Sequence, residues 1–161
     1  MTIKHPILVI GVGNDFRSDD AVGLYVAREI NKKGLKNTTI IEGINDGTSM
    51  IEAWKGISRA IVIDCVHSGG EPGKIYRFDA LSENIPENYF PGLSTHAFNI
   101  TAAIALARNI DYLPDNLIIY GIEGENFGTG QGLSDRVHKS ADEVIKQIAD
   151  EIRRAFEGSS K

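Results

Sequence analysis

The chain has 161 residues, of which 42% are hydrophobic and 24% charged, and this composition excludes an intrinsically disordered protein. Its 17 lysine and arginine residues against 22 acidic ones give a net charge of −5, which argues against nucleic acid and anionic membranes as main partners. No apolar run in the sequence approaches the roughly 20 residues of a membrane-spanning helix, and the single cysteine, Cys65, is typical of a reducing cytoplasm. We therefore expect one cytoplasmic domain over residues 1–157 and a disordered tail over residues 158–161.

A glycine-rich turn between the first predicted strand and the first predicted helix is the most informative segment of the chain. An apolar run over residues 7–12 predicts the strand, and an amphipathic run over residues 21–30 predicts the helix. Such a turn usually binds phosphate through free backbone N–H groups, but Asp19 and Asp20 at the helix start would repel an anion. The turn is therefore predicted to present negative charge, for example to a cation. The alternative for one of the two carboxylates, or for Ser18, is that it only caps the helix.

The rest of the chain alternates between strand-like and helix-like patterns. In chain order these patterns predict a strand over 38–42, a short helix capped by Thr48 that extends to Trp54, a buried strand over 60–65, an edge strand over 74–78, an irregular loop over 82–93, an alanine-rich helix from Ser94 to about Asn109, a strand over 116–122, a mobile glycine-rich segment over 123–132, and a long helix capped by Ser134. This alternation predicts the α/β class, with a mostly parallel sheet covered by helices on both faces.

Acidic residues follow three of the predicted strands and are expected at one edge of the sheet. Asp20 follows the first strand, Asp64 ends the strand over 60–65, and Glu123 follows the last strand. Ligands in such folds bind at the carboxyl ends of the strands, so the three carboxylates should share one rim. Asp64 is unexpected in a buried strand, where a carboxylate is costly unless it is paired or bound to a metal. The alternative is that it caps a neighbouring loop.

A histidine predicted to lie at a helix start completes a candidate metal site. The helix N-terminus disfavours imidazolium, so His96 should be neutral and free to donate a lone pair, unless it is simply a solvated histidine. Asp20, Asp64 and His96 would form an O, O, N set that suits zinc or nickel and leaves positions open for water or substrate. His67 is either an accessory ligand or a loop residue. Cys65 is expected to be buried beside Asp64, which raises a thiol pKa and makes a poor nucleophile.

Short motifs rich in glycine and aspartate are spread along nearly the whole chain, from about residue 7 to residue 145. They are Gly11-x-Gly13-Asn14-x-x-x-x-Asp19-Asp20-x-x-Gly23, Asp46-Gly47-Thr48, Ile63-Asp64 followed by Pro72-Gly73, Ser94-x-His96, Gly121-Ile122-Glu123 and Gly132-Leu133-Ser134. In this order they resemble the motifs of the hydrogenase maturation proteases, the endopeptidases that trim the large subunit of nickel–iron hydrogenases. The chain departs from the family pattern at Asp20, where the family often has Glu, and at Gly124, where it commonly has Pro.

This resemblance implies a three-layer α/β/α fold with a twisted five-stranded sheet, and an endopeptidase activity of the aspartyl type. It implies that Asp20, Asp64 and His96 are both the metal-binding and the catalytic residues. The substrate would be the nickel-loaded large-subunit precursor of a hydrogenase, from which a short C-terminal peptide is cut. That substrate would supply the nickel, so no organic cofactor is expected and the protein would be isolated without metal.

Three other functions remain as alternatives at the level of the sequence. The first is a generic metal-dependent hydrolase that holds its own zinc, and the second is a non-catalytic nickel-binding docking module. The third, a nucleotide-binding domain, is disfavoured because Phe16 stands where the dinucleotide fingerprint needs its third glycine. The sequence leaves open the oligomeric state, the cleavage-site sequence, the roles of His67 and Glu123, and whether the metal or a carboxylate activates the water.

Overall fold

The computed structural model describes residues 6–44, 46–90 and 99–157, and within these ranges strands alternate with helices. In chain order the elements are β1 (Ile7–Gly11), α1 (Val22–Lys32), β2 (Thr38–Glu42), α2 (Gly47–Trp54), β3 (Arg59–Val66), β4 (Ile75–Asp79), α3 (Ile100–Asn109), β5 (Asn116–Glu123) and α4 (Asp135–Glu157). Short 3-10 turns lie at Ser18–Ala21 and Glu87–Tyr89. The tail expected over residues 158–161 lies outside the described residues.

The five strands form one sheet in the order β2-β1-β3-β5-β4. The first four strands in this order are parallel to one another, and β4 pairs antiparallel with β5 at the edge. The sequence prediction of a mostly parallel sheet with an edge strand over residues 74–78 is therefore confirmed. The long runs of β-branched residues in the three central strands are buried on both faces, as parallel strands require.

Helices cover both faces of the sheet, which gives the three-layer α/β/α architecture expected from the sequence. On one face, α1 and α4 pack on alternate strand residues through apolar side chains such as Val26 and Val144. On the other face, α2 and α3 pack on the intervening strand residues through side chains such as Trp54 and Ile100. Alternation along each strand thus divides the apolar residues between two cores, and both cores leave the ends of the strands free to form a site.

Two helix starts differ from the sequence prediction, and in both cases a different side chain caps the helix. The carboxylate of Asp46 accepts the backbone N–H of Ser49 at 2.7 Å and caps α2, the role assigned to Thr48. The predicted helix start at Ser94 is wrong, because α3 begins at Ile100 and is capped by Asn99. The Asn99 carboxamide oxygen accepts two of the free N–H groups of the first turn, which fixes the helix start there.

Among the described residues, no helix is both long enough and apolar enough to cross a membrane. The longest, α4, has 23 residues and buries one apolar stripe against the sheet, while its other face carries charged side chains.

Candidate functional site

Three glycines let the first helix approach the sheet closely at the carboxyl end of β1. A Cβ atom on Gly23 would lie 2.3 Å from the carbonyl oxygens of both Ile63 and Val12, and a Cβ on Gly11 would lie 2.4 Å from the Gly23 carbonyl oxygen. On Gly13, a Cβ would lie 2.1 Å from a backbone oxygen of the following turn. The glycines of the motif therefore serve backbone packing, and they hold the 3-10 turn Ser18–Ala21 against the end of β3.

This packing brings Asp20 and Asp64 together at the carboxyl edge of the sheet. Asp64 is the sixth residue of β3, pairs with Gly121 of β5, and accepts the Cys65 backbone N–H at 2.7 Å. Asp64 keeps a small exposed surface, but protein surrounds most of its carboxyl group. This burial, together with the negative charge of Asp20, raises the pKa of Asp64 well above the usual value. Of the three carboxylates predicted from the sequence to share a rim, Asp20 and Asp64 lie together there.

The surroundings of Asp20 act on its pKa in both directions, with a net rise. Burial raises its pKa, while the positive charge of Arg17, a hydrogen bond from the backbone of Asn14 and the nearby His67 lower it by smaller amounts. Two carboxylates with few donors around them repel each other, and a cation between them would relieve that repulsion. The arrangement fits the prediction that the turn presents negative charge to a cation.

The third predicted ligand, His96, lies outside the described residues, as does the rest of residues 91–98. The argument that a helix N-terminus keeps its imidazole neutral fails, because α3 starts four residues later, at Ile100. Within the described ranges, no group of three or more His, Cys, Asp or Glu side chains converges on a metal position. Asp20 and Asp64 lie together at the sheet edge, and the assignment of Asp20, Asp64 and His96 as metal ligands stays a prediction.

Asp19 has a different role from its neighbour Asp20. It is fully buried, and its carboxylate accepts hydrogen bonds from the backbone N–H groups of Glu125, Asn126 and Ser134 and from the Ser134 hydroxyl, at 2.7–2.8 Å. Neither the 3-10 turn nor α1 receives a side-chain cap, so the interpretation of Ser18 or Asp19 as a helix cap is wrong. The carboxylate binds the loop after β5 instead.

The glycine-rich segment that was expected to be mobile forms several hydrogen bonds with the turn that carries Asp19. Ser18 donates its N–H to the Gly130 carbonyl at 3.0 Å and its hydroxyl to the Gly128 carbonyl at 2.9 Å. Gly130 in turn donates its N–H to the Phe16 carbonyl at 2.9 Å. With the four hydrogen bonds to Asp19, these contacts hold residues 125–134 beside the carboxylate pair. The segment is therefore more constrained than its glycine content suggested.

Glu123 ends β5 at the same edge, but its carboxylate points into the protein. Its side chain is only 1% exposed and accepts hydrogen bonds from the backbone N–H of Ser68 at 2.9 Å, from the Ser68 hydroxyl, and from the Tyr76 hydroxyl at 3.0 Å. Three donors compensate its charge. Glu123 therefore holds the loop after β3 and does not belong to the carboxylate pair.

Cys65 is 5% exposed, and burial and the charge of Asp64 raise the pKa of its thiol well above the usual value. The burial expected from the sequence is confirmed, and a thiol in such surroundings is expected to be a poor nucleophile. Two residues near the pair were missed from the sequence, namely Arg17 and Phe127, whose ring stacks on His67. A basic residue three positions before Asp20 was a usable signal for Arg17, whereas the contact of Phe127 depends on the path of the loop.

Comparisons with known proteins agree on one family. A sequence model of the family described as hydrogenase maturation protease matches residues 24–151 of the chain. A Methanocaldococcus jannaschii protein provisionally named a hydrogenase maturation protease is 28% identical over 159 residues, which cover 94% of this chain and 99% of that protein. The hydrogenase 2 maturation protease of Escherichia coli K12 is 21% identical over 152 residues, 92% of each chain.

Solved structures show the same fold. The hydrogenase maturating endopeptidase HybD from Escherichia coli superimposes with a TM-score of 0.79 at 21% identity, over 93% of each chain. The [NiFe] hydrogenase maturation protease HycI from Thermococcus kodakarensis superimposes with a TM-score of 0.70 at 22% identity, over 92% of each chain. The described architecture is therefore that of known maturation endopeptidases.

Proposed function

Because the chain belongs to the hydrogenase maturation protease family and is therefore an endopeptidase of hydrogenase maturation, we propose that its substrate is the nickel-loaded large-subunit precursor of a nickel–iron hydrogenase. The enzyme would remove a short peptide from the C-terminus of that precursor. The observation that carries the proposal is the pair of carboxylates, Asp20 and Asp64, at the carboxyl edge of a sheet with this family's fold.

Recognition would depend on the nickel that the precursor brings. Asp20 and Asp64 repel each other, and each has a raised pKa, so a divalent cation that reaches them gains two oxygen ligands and removes the repulsion. We propose His96 as the nitrogen ligand beside them. Binding the substrate through its own metal would fix the scissile peptide bond against the enzyme. Positioning of this kind lowers the activation free energy by several kcal/mol.

One carboxylate of the pair is suited to activate the attacking water. A general base works best when its pKa lies close to the working pH, and burial moves the pKa of Asp64 upwards from its usual acid range. Whichever carboxylate accepts the proton from water, the other stays available to the cation. The two roles require two acidic side chains at one place, which is what the turn after β1 and the end of β3 provide.

Incubation of the protein with nickel-loaded and nickel-free precursor tests the proposal. We expect mass spectrometry to show loss of a C-terminal peptide only from the loaded form. Asp64→Asn should lower the processing rate by about 10²-fold or more, since it removes a ligand charge and a general base. The variant should still fold, as judged by circular dichroism.

Asp142→Asn is the matched control, because it makes the same chemical change on an exposed residue of α4. It should process the precursor at the wild-type rate. Full processing by Asp64→Asn would remove Asp64 from the site. Tightly held, stoichiometric zinc in the purified protein would favour the generic hydrolase, and binding of the precursor without shortening would favour the docking module.

A further inference from the structure

We propose that His67 is a further catalytic residue, whose imidazole N–H donates a hydrogen bond to the carbonyl oxygen of the scissile peptide bond. The assignment rests on the proposed endopeptidase function, since it names a role within that reaction. His67 is the first residue after β3 and follows Asp64 by three positions. Its ring stacks on Phe127, whose neighbour Asn126 donates its backbone N–H to Asp19, the residue before Asp20. The ring therefore lies near the carboxylate pair, close enough for its charge to act on the Asp20 carboxyl group.

The main chain around His67 is held in place on both sides. The His67 backbone N–H donates to the Tyr89 carbonyl at 2.9 Å. The next residue, Ser68, gives both its backbone N–H and its hydroxyl to the buried carboxylate of Glu123. A charge-assisted contact of this kind is stronger than an ordinary hydrogen bond. The exposed ring therefore projects from a fixed backbone, although it lies in a loop.

The orientation of the ring is fixed as well. It stacks on the ring of Phe127, with 3.9 Å between the centroids and 16° between the planes. Phe127 belongs to the loop that Asp19 holds through four hydrogen bonds, so the stacking partner is itself anchored. Two independent sets of contacts, one to the backbone and one to the ring face, thus position the imidazole beside the carboxylates.

The ring nitrogens of His67 are free to bind a substrate. Within the described part of the chain, neither nitrogen forms a hydrogen bond, and the residue is exposed. A neutral imidazole carries one N–H donor and one acceptor. By contrast, the carboxylate of Glu123 has three donors and that of Asp19 has four, so neither offers capacity to a ligand. His67 is the oriented donor that these contacts leave unused.

Peptide hydrolysis passes through a tetrahedral intermediate whose oxygen is negatively charged, and an N–H donor can stabilise that charge. A water oxygen adds to the carbonyl carbon of the scissile bond, its proton passes to a carboxylate of the pair, and the carbonyl π electrons move onto the oxygen. When the tetrahedral intermediate collapses, that electron pair re-forms C=O, the C–N bond breaks with its electrons going to nitrogen, and the amine receives the proton. The oxygen is anionic only between these events, so an N–H directed at it raises the rate more than the affinity.

Two substitutions separate the N–H donor from the aromatic stack. His67→Phe keeps a ring against Phe127 and removes the N–H, whereas His67→Gln removes the ring and keeps an N–H donor. We expect His67→Phe to lower the single-turnover cleavage rate by about 10²-fold, with the affinity for the precursor changed by less than about threefold. His67→Gln should retain more of the rate than His67→Phe.

His138→Phe is the matched control, because His138 is an exposed histidine on α4 that also contacts an aromatic ring, that of Tyr25. It should cleave at the wild-type rate. Calorimetric titration with Ni²⁺ should give the same affinity for His67→Phe and wild type, because the assigned contact is to the peptide and not to the metal.

Several results would overturn the assignment. Equal cleavage rates for His67→Phe and His138→Phe would show that the N–H does not act, and a fall in Ni²⁺ affinity matching the fall in rate would make His67 a metal ligand. A His67→Phe variant that does not unfold cooperatively is not properly folded. In that case His67→Leu replaces it, with the same expected loss of cleavage rate. A wild-type protein that leaves the loaded precursor uncut contradicts the proposed function itself, whereas equal cutting by wild type and His67→Phe contradicts only the role of His67.

Discussion

Two adjacent residues, Asp19 and Asp20, have the same side chain and opposite surroundings. Asp19 accepts four hydrogen bonds inside the protein, which compensate its negative charge. Asp20 lies beside Asp64 with few donors near it, and the pKa of each of these two carboxyl groups is raised. The protein thus maintains a pair of poorly compensated charges at one edge of its sheet, and the pair lowers the free energy of unfolding whenever both are ionised.

The pH dependence of stability should reveal this cost at Asp64. Its folded-state pKa lies above its unfolded value, so the folded protein retains the proton longer, and stability falls as pH rises from the unfolded value of about 3.8 through the raised folded value. Asp64→Asn removes the charge. We expect its melting temperature at pH 7 to exceed that of wild type, by about 2–4 °C for each kcal/mol relieved.

The difference between variant and wild type should vanish at about pH 2, well below the unfolded value, where the aspartate is protonated in both folded and unfolded chains. Asp20→Asn serves as the comparison and should give a shift of the same sign, because burial raises that pKa as well. A melting temperature of Asp64→Asn below that of wild type at pH 7 would mean that the Asp64 charge is compensated in the fold. Thermal unfolding followed by circular dichroism measures both.

At the scale of the elements, the position of α1 depends on two glycines, Gly11 in β1 and Gly23 in α1, because neither carries a side chain that would keep the two elements apart. α1 runs against β1 and β3 so closely that any side chain at Gly11 or Gly23 would overlap backbone carbonyl groups. Overlap with backbone is more costly than overlap with a flexible side chain, because the strands cannot move without losing ladder hydrogen bonds. The position of Asp20 therefore depends on residues that never touch the substrate.

Gly23→Ala should destabilise the protein by about 2–3 kcal/mol, since its Cβ would lie 2.3 Å from the carbonyl oxygens of Val12 and Ile63. Urea unfolding measures the change, and the processing rate should fall with it as Asp20 is displaced. Gly47→Ala is the control, because its Cβ would meet nothing nearer than the Ala103 Cβ at 4.0 Å. That substitution should leave stability unchanged or raise it by up to about 1 kcal/mol.

The loop between β5 and α4 depends on a single carboxylate. Asp19→Asn keeps the size of the side chain but turns one acceptor oxygen into a donor that faces other donors. We expect a loss of about 3 kcal/mol or more in the free energy of unfolding, together with faster amide hydrogen exchange over residues 125–134. Urea unfolding and exchange mass spectrometry check the two parts.

Asp15→Asn is the control for this substitution. Asp15 lies in the same turn region and pairs with Arg28 at 2.8 Å, but both side chains are about two-fifths exposed. An exposed ion pair contributes little, so the loss should stay below about 1 kcal/mol. Equal losses for the two variants would contradict the special role of Asp19.

For the whole molecule, the class of fold and the meeting of two carboxylates could be predicted because they follow from patterns along the chain. Buried parallel strands are continuous apolar runs, and a lone charge at the end of such a run, as at Asp64, stands out. Since parallel strands end at one edge, the sequence also implied that Asp20 and Asp64 would meet. The family motifs gave the same two residues, and the match over residues 24–151 confirmed the family itself.

What the sequence could not show depends on contacts between distant segments. The bonds of Asp19 reach residues 106 to 115 positions away, and nothing local distinguishes them from a helix cap. The stacking of His67 on Phe127 also joins segments that are far apart in the sequence. The start of α3 was misjudged for a local reason: Ser94 and Asn99 are both good N-cap residues, and only the folded chain selects between them.

The burial of Cys65 has a practical consequence for studying the reaction. The only cysteine of the chain is 5% exposed, its thiol has a strongly raised pKa, and the thiolate is the form that reacts with alkylating reagents. We therefore expect the wild-type protein to react only slowly with thiol-labelling reagents. A cysteine introduced at Phe16, which is 64% exposed beside the fixed loop, would take a fluorophore alone and report the arrival and departure of a precursor in real time.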